Sequence, residues 1–162
     1  PCQEFNGEIY YQDGGSRLNV SGTLAVADCI IQPDGSKISI GPGNFSQPLT
    51  QKGTYQLPME TMTVLSFADN TEVVFDFSPF FYTGALKTTR GMFEKCRAFN
   101  GDLSNWDTRQ VRDMTNMFKD ASSFEGNISD WSVHFIKSIP DGFDEDAEFE
   151  EYDEIQPQWG SL

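Results

Sequence analysis

The sequence predicts an α+β fold, with an all-β N-terminal part joined to a short solenoid of about two full repeats with degenerate caps. Three observations predict it. Two segments between Met92 and Phe143 repeat each other at a spacing of 25 residues. Worn traces of the same repeat flank them on both sides. Residues 1–77, by contrast, carry closely spaced turn signals between short β-rich runs. The chain therefore divides into a β-rich domain at 1–77, a repeat region with caps at 78–154 and a C-terminal tail at 155–162.

In the repeat, Met92-Phe93 falls on Met117-Phe118, Cys96 on Ala121, Phe99 on Phe124, Gly101 on Gly126, Leu103 on Ile128 and Ser104 on Ser129. Trp106 falls on Trp131, Val111 on Ile136 and Met114 on Ile139. A fixed period of this length is the signature of a solenoid, in which each unit buries its apolar face only against its neighbours. Each unit reads as three pieces. Asn116 is placed to cap a short helix whose apolar face is Met117, Phe118, Ala121 and Phe124, and a glycine then ends it. Leu103-Ser104-Asn105-Trp106 is a turn with two buried anchors. Val111 with Met114 supplies a very short strand stacked on its counterpart. The apolar positions, together with Phe143, form the expected core, arranged as ladders.

Before the repeats, Phe81, Leu86 and Thr89 fall on Trp106, Val111 and Met114, so a worn unit caps that end and joins the two parts in one core. After them, Phe143 and Phe149 lie 25 residues beyond Phe118 and Phe124. Residues 142–149 are therefore expected to form an ordered, helical capping turn whose acids make its polar outer face. The blander alternative is a disordered acidic tail. A calcium site is the sharper one, but the D-x-D-x-D-G order of an EF-hand loop is absent, so no metal is expected. Two full units are few for an independent solenoid, so the β part or a partner subunit has to finish the core.

The phrase FNGDLSNWDTRQVRDMTNMFKDASSF resembles the repeats of BspA-like leucine-rich-repeat surface proteins, whose pattern is close to MFxxAxxFNxDLSxWDTSxVTxMxxMF. Cys96 and Arg109 depart from the pattern in the first unit. Glu125 and the run Ser132-Val133-His134-Phe135 depart from it in the second. The resemblance covers under half the chain. It implies a leucine-rich-repeat-like solenoid and a protein displayed on a surface, engaged in adhesion or assembly.

In the N-terminal part, short runs at Ile9–Gln12, Thr23–Ala27, Cys29–Gln32, Lys37–Ile40, Thr61–Phe67 and Glu72–Phe77 read as strands. The clearest hairpin is CIIQPDGSKISI, with proline entering the turn and glycine leaving it. The proline-rich passage 41–58 reads as an extended loop and a second place for a partner to touch.

A hydrophobic share of 38% with 14 phenylalanines is enough for a real core in 162 residues. No run of apolar residues is long enough to span a membrane, and the given chain has no signal-peptide pattern. It opens on Pro1, the residue left when an initiator methionine is removed or a precursor is trimmed, and the first origin suggests a complete protein made in the cytosol. The net charge of −14 argues against nucleic acid, whose phosphates need neutralising cations. Cys2, Cys29 and Cys96 have no metal-type spacing and are expected to be free thiols, Cys96 in the core. A Cys2–Cys29 disulfide is the alternative in an oxidising compartment.

Motifs for catalysis are missing. The one histidine, His134, has no nucleophile pattern near it, and no phosphate-binding, zinc or redox motif is present. Paired carboxylates are a matter of geometry rather than spacing, so a carboxylate-dependent hydrolase stands as a remote alternative. The expectation is a non-enzymatic interaction protein without catalytic residues, cofactor or metal. Its binding strip would be the exposed repeat positions Asn105, Asp107, Arg109, Arg112, Asp113, Asp130, Ser132, His134 and Lys137. Two settings compete, an accessory virion component of a phage (decoration, neck or tail) and a cell-surface adhesion protein. The expected partner is a protein, another virion protein or a second copy, with a surface glycan or host ligand also open.

Overall fold

Alternating apolar residues set the N-terminal strands. The computed structural model describes residues 5–13 and 16–160, and among these it contains eight strands. They are β1 (Gly7–Tyr11), β2 (Leu18–Leu24), β3 (Asp28–Ile31), β4 (Lys37–Ile40), β5 (Gly43–Leu49), β6 (Gly53–Leu57), β7 (Met62–Ser66) and β8 (Phe75–Phe77). All pair antiparallel in two sheets, one ordered β4-β3-β6-β1-β8 and the other β5-β2-β7. Inward residues such as Ile9, Tyr11, Val20, Tyr55 and Leu65 are fully buried in one core that runs on through the repeats to Phe149.

The expected α+β class is overturned. Among the described residues no helix reaches seven residues, and the fold is nearly all β. Its helical content is two single 3-10 turns, Met59–Thr61 and Asp153–Ile155. The extended loop expected at 41–58 is also corrected, since it holds β5 and β6. Pro48 is tolerated there because β5 is the edge of its sheet, paired only with β2, where a missing N–H costs no second ladder. β2 begins at Leu18, ahead of the expected run at Thr23–Ala27, and β8 is shorter than the run expected at Glu72–Phe77.

The repeats are not helical because their backbone N–H groups have other partners. Along residues 91–96 the donors alternate. Gly91, Phe93 and Lys95 donate to the carbonyls of Thr115, Met117 and Lys119 in the next coil, while Met92, Glu94 and Cys96 donate three residues back, to Thr89, Gly91 and Phe93. Residues 116–121 repeat the arrangement, with Asn116, Phe118 and Asp120 donating to Asp141, Phe143 and Glu145. Half the donors an α-helix would use thus join one coil to the next. Left-handed backbone at Lys95 (φ 61°) and Asp120 (φ 60°) turns the chain inside the stretch read as a helix. The spacing i, i+1, i+4, i+7 marks burial in this coil, not helical turns.

The first coil comes from the β-rich part. β7 is bridged in parallel to Thr88, and Thr88 to Asp113, so one edge of the three-stranded sheet continues as the stack of coils. Phe67 and Asp69 donate their N–H groups to Met92 and Glu94, as each later coil does to its successor. Three aromatic ladders follow, each three rings deep. Phe67, Phe93 and Phe118 stack at 5.7 and 5.5 Å, Phe75, Phe99 and Phe124 at 4.8 and 5.8 Å, and Phe81, Trp106 and Trp131 at 5.5 and 6.5 Å. All nine rings are buried or nearly so. The unit that two repeats lacked is supplied by β7 and β8.

The last coil slips by one residue. Phe143 donates to Pro140 as Met117 does to Met114, and Ala147 donates to Asp144 as Ala121 does to Phe118, so the equivalent spacing here is 26. This corrects two expectations. Ile139, expected in the core, is 47% exposed because Pro140 takes the Met114 position. Phe143 and Phe149 are fully buried, yet they meet Phe118 and Phe124 edge-on at 84–89° instead of continuing the stacks. Residues 142–149 form turns, not the expected helix, with left-handed backbone at Gly142 and Asp146. The stretch expected as a tail folds back. Ile155 accepts the Ile128 N–H, Gln156 bonds Asp144, Gly160 donates to Val133, and Trp159 packs edge-on against Phe143.

Trp106→Ala is expected to destabilise the protein by about 3–5 kcal/mol, as for a large core truncation, measured by denaturant unfolding. A loss within experimental error would contradict the ladder. Deleting residues 142–162 should expose Phe118 and Phe124 and cost about 3–6 kcal/mol for the two lost rings; an unchanged melting temperature would show that the cap is not structural.

Candidate functional site

Stacking places every side chain of a coil beside its equivalent one coil away. The face after the tryptophan ladder shows this most directly, because the Arg112 N–H bonds the Lys87 carbonyl at 2.9 Å. Lys87, Arg112 and Lys137 share one position at 25-residue intervals, and all three are exposed. Two positions earlier, Ala85, Gln110 and Phe135 share another. Arg112 sits over the Phe135 ring, 4.1 Å from its centre, and the Lys137 ammonium bonds the His134 carbonyl at 3.0 Å.

The strip expected from the sequence divides on this scaffold. Arg109 is exposed and forks onto Asp107, with Nε–Oδ1 at 3.0 Å and Nη2–Oδ2 at 2.9 Å. Hydrogen bonding from that guanidinium holds the Asp107 carboxyl below the usual range. Asp113 pairs with Arg90 at 3.2 Å and accepts the Thr115 N–H. The Ser132 carbonyl accepts the hydroxyl of buried Thr108 at 2.9 Å, so Ser132 serves the stack. His134 lies 5.0 Å from the Phe135 ring. Asn105 and Asp130 are exposed and make no side-chain contact with the others. The structure therefore gathers Arg112, His134 and Lys137, beside the Arg109–Asp107 pair.

Sequence reasoning missed the other half of this face. A shallow cleft of about 340 Å³ is walled by Glu60, Thr63, Tyr82, Lys87 and Gln110 over a floor of Gly84 and Ala85. Extending the period one unit back would have found Lys87, since it precedes Arg112 by the same interval that separates Arg112 from Lys137. The ion pairs among the described residues are Arg90–Asp113, Arg109–Asp107 and Lys119–Glu145, and none takes Lys87, Arg112 or Lys137. In a chain with 25 acids and 11 lysines and arginines, three cations aligned without carboxylate partners are a segregated charge.

Elsewhere the reactive groups are quiet. Cys96 is buried, its thiol donates to the Phe67 carbonyl, and burial pushes its pKa up to about 12, which leaves no thiolate at neutral pH. Cys29 is disulfide-bonded, which corrects the expectation that all three thiols are free; Cys2 lies outside the described residues. Among the described residues no three His, Cys, Asp or Glu side chains gather as metal ligands, and no helix is long and apolar enough to cross a membrane.

Residues 61–159 match a family model described as "Mycoplasma protein of unknown function, DUF285", a family of surface repeats in keeping with the BspA-like resemblance. The match begins just before β7 and ends at Trp159, so it includes the coil that β7 and β8 contribute as well as the folded-back cap. No curated protein and no solved structure matches the chain.

Arg109→Gln is expected to raise the Asp107 carboxyl towards its ordinary value, read by NMR titration of the side chain. The sign follows from the depressed pKa, because the pair's small stabilisation is present above the unfolded value and lost as pH falls through the folded one. Both groups are exposed enough that melting temperature at neutral pH should not move. An unshifted Asp107 titration would show that the fork does not persist in solution.

Proposed function

The chain belongs to the DUF285 family, and we propose that it is a non-enzymatic interaction protein displayed on a cell surface, where the face after the tryptophan ladder meets a macromolecular partner. The observation that carries this is the line of exposed cations on an otherwise strongly acidic chain, held on a stacked backbone. A partner met by such a face is steered and oriented by charge without needing a deep pocket. The inert Cys96 and the lack of gathered catalytic groups around His134 support binding over catalysis. The Cys29 disulfide favours a surface facing an oxidising medium over a phage particle assembled in the cytosol.

Two measurements test this reading. Trypsin added to intact source cells should remove the protein without lysis; full protection would place it elsewhere. Cells displaying the Arg109→Glu, Arg112→Glu double variant should adhere less to serum-coated plastic than wild type, at equal surface amount and unchanged melting temperature. Equal adhesion would move the contact away from this face.

A further inference from the structure

We propose that the cleft at Tyr82 and the Lys87–Arg112–Lys137 line together bind a linear anionic polysaccharide, laid along the stack with a sugar ring against Tyr82. This rests on the reading of this face as the binding surface and names its partner class. Three observations converge on it.

The first is the spacing. Adjacent coils joined by backbone hydrogen bonds repeat at the interstrand distance, about 4.8 Å, and Lys87, Arg112 and Lys137 therefore offer one cation per coil in a straight line. One sugar ring of an extended chain covers about the same length as one coil, so anionic groups on a polysaccharide stay in register along the line. In an extended acidic peptide, side chains on one face recur at about 6.6 Å, twice the residue rise, and they lose register by the third cation.

The second is the composition of the cleft. Glu60 offers acceptors, Lys87 donors, and Thr63 and Gln110 both, in an open depression of about 340 Å³. Such mixed groups suit sugar hydroxyls, which donate and accept. Tyr82, 45% exposed, supplies the aromatic face on which the apolar side of a sugar ring rests. Farther along, Phe135 is 43% exposed beneath Arg112, a second ring presented on the same line.

The third is the state of the cations. Lys87, Arg112 and Lys137 make no ion pair among the described residues, whereas Arg90, Arg109 and Lys119 each do. Binding an anion here breaks no existing salt bridge. The acids elsewhere confine a polyanion to this strip, and the interaction should weaken steeply with salt.

The test is binding of the intact protein to heparin (sulfate groups), polygalacturonate (carboxylate groups), neutral dextran and poly-L-glutamate, at low and high salt. Heparin or polygalacturonate should bind and be released by salt, dextran should not bind, and poly-L-glutamate should bind about tenfold more weakly or less. The sulfate and carboxylate arms decide which anion is preferred, and either preference supports the site. Lys87→Ala and Tyr82→Ala should each weaken binding by about threefold to tenfold, while Lys52→Ala, in the turn between β5 and β6, should leave it unchanged. Lys87 is exposed and its variant should keep the wild-type melting temperature.

Poly-L-glutamate binding as tightly as the polysaccharides would overturn the proposal in favour of an acidic protein. An equal loss with Lys52→Ala would overturn it as nonspecific attraction. Concentration-dependent self-association abolished by Lys87→Glu would replace the polysaccharide with a second copy. If no polysaccharide binds while trypsin sensitivity and adhesion behave as expected, this inference fails and the surface reading stands; binding by a protein that trypsin cannot reach on cells fails the surface reading instead.

Discussion

Every second backbone N–H in the turns 91–96 and 116–121 points to the next coil, and the rest of the architecture depends on that alternation. It removes the option of a helix, because the donors needed for i to i−4 bonds are already spent. It sets the coil spacing, and that spacing brings equivalent rings to stacking distance. It also gives the stack a polarity, with N–H groups facing the C-terminal end. Val133 stands where Thr83 and Thr108 use hydroxyls to reach the following coil, and its carbonyl accepts instead from Gly160 of the folded-back segment.

A stack of this kind has two open ends, and each is closed differently. At the start, β7 and β8 provide a coil with its own rings, so Phe67, Phe75 and Phe81 meet the first repeat as true equivalents. At the finish, a one-residue slip replaces stacking with edge contacts, and Phe143, Phe149 and Trp159 cover the last faces. The outward N–H groups of this coil have no successor. That of Asp146 is taken by the Glu150 carboxylate, and nine acids lie between residues 141 and 154. Like charge at this end opposes end-to-end addition of a further stack, as capping repeats of solenoids require.

The same regularity builds the candidate site. A single exposed basic position becomes a line when the coil repeats, and a single aromatic position becomes a row of platforms. Individual surface charges contribute little to stability, so Lys87, Arg112 and Lys137 are free to serve recognition without weakening the stack. The ladders beneath them supply the rigidity that keeps the line straight, and rigid presentation lowers the entropy lost on binding.

The sequence by itself determined the repeat, its period, the ring positions that become ladders, the worn unit at Phe81 and the burial of Phe143 and Phe149. These are legible because a repeated environment selects the same kind of side chain each time, and side-chain chemistry is what a sequence records. It also carried the basic line, in the equal spacing of Lys87, Arg112 and Lys137. Only the tertiary structure decided that the repeats are turns and not helices, since the partner of each N–H lies a whole coil away and one apolar spacing serves either geometry. The strands β5 and β6, the slip that exposes Ile139, the pairing of Arg109 with Asp107 and the cleft beside Tyr82 were likewise decided by contacts between residues distant in the chain or by backbone angles, neither of which local composition encodes.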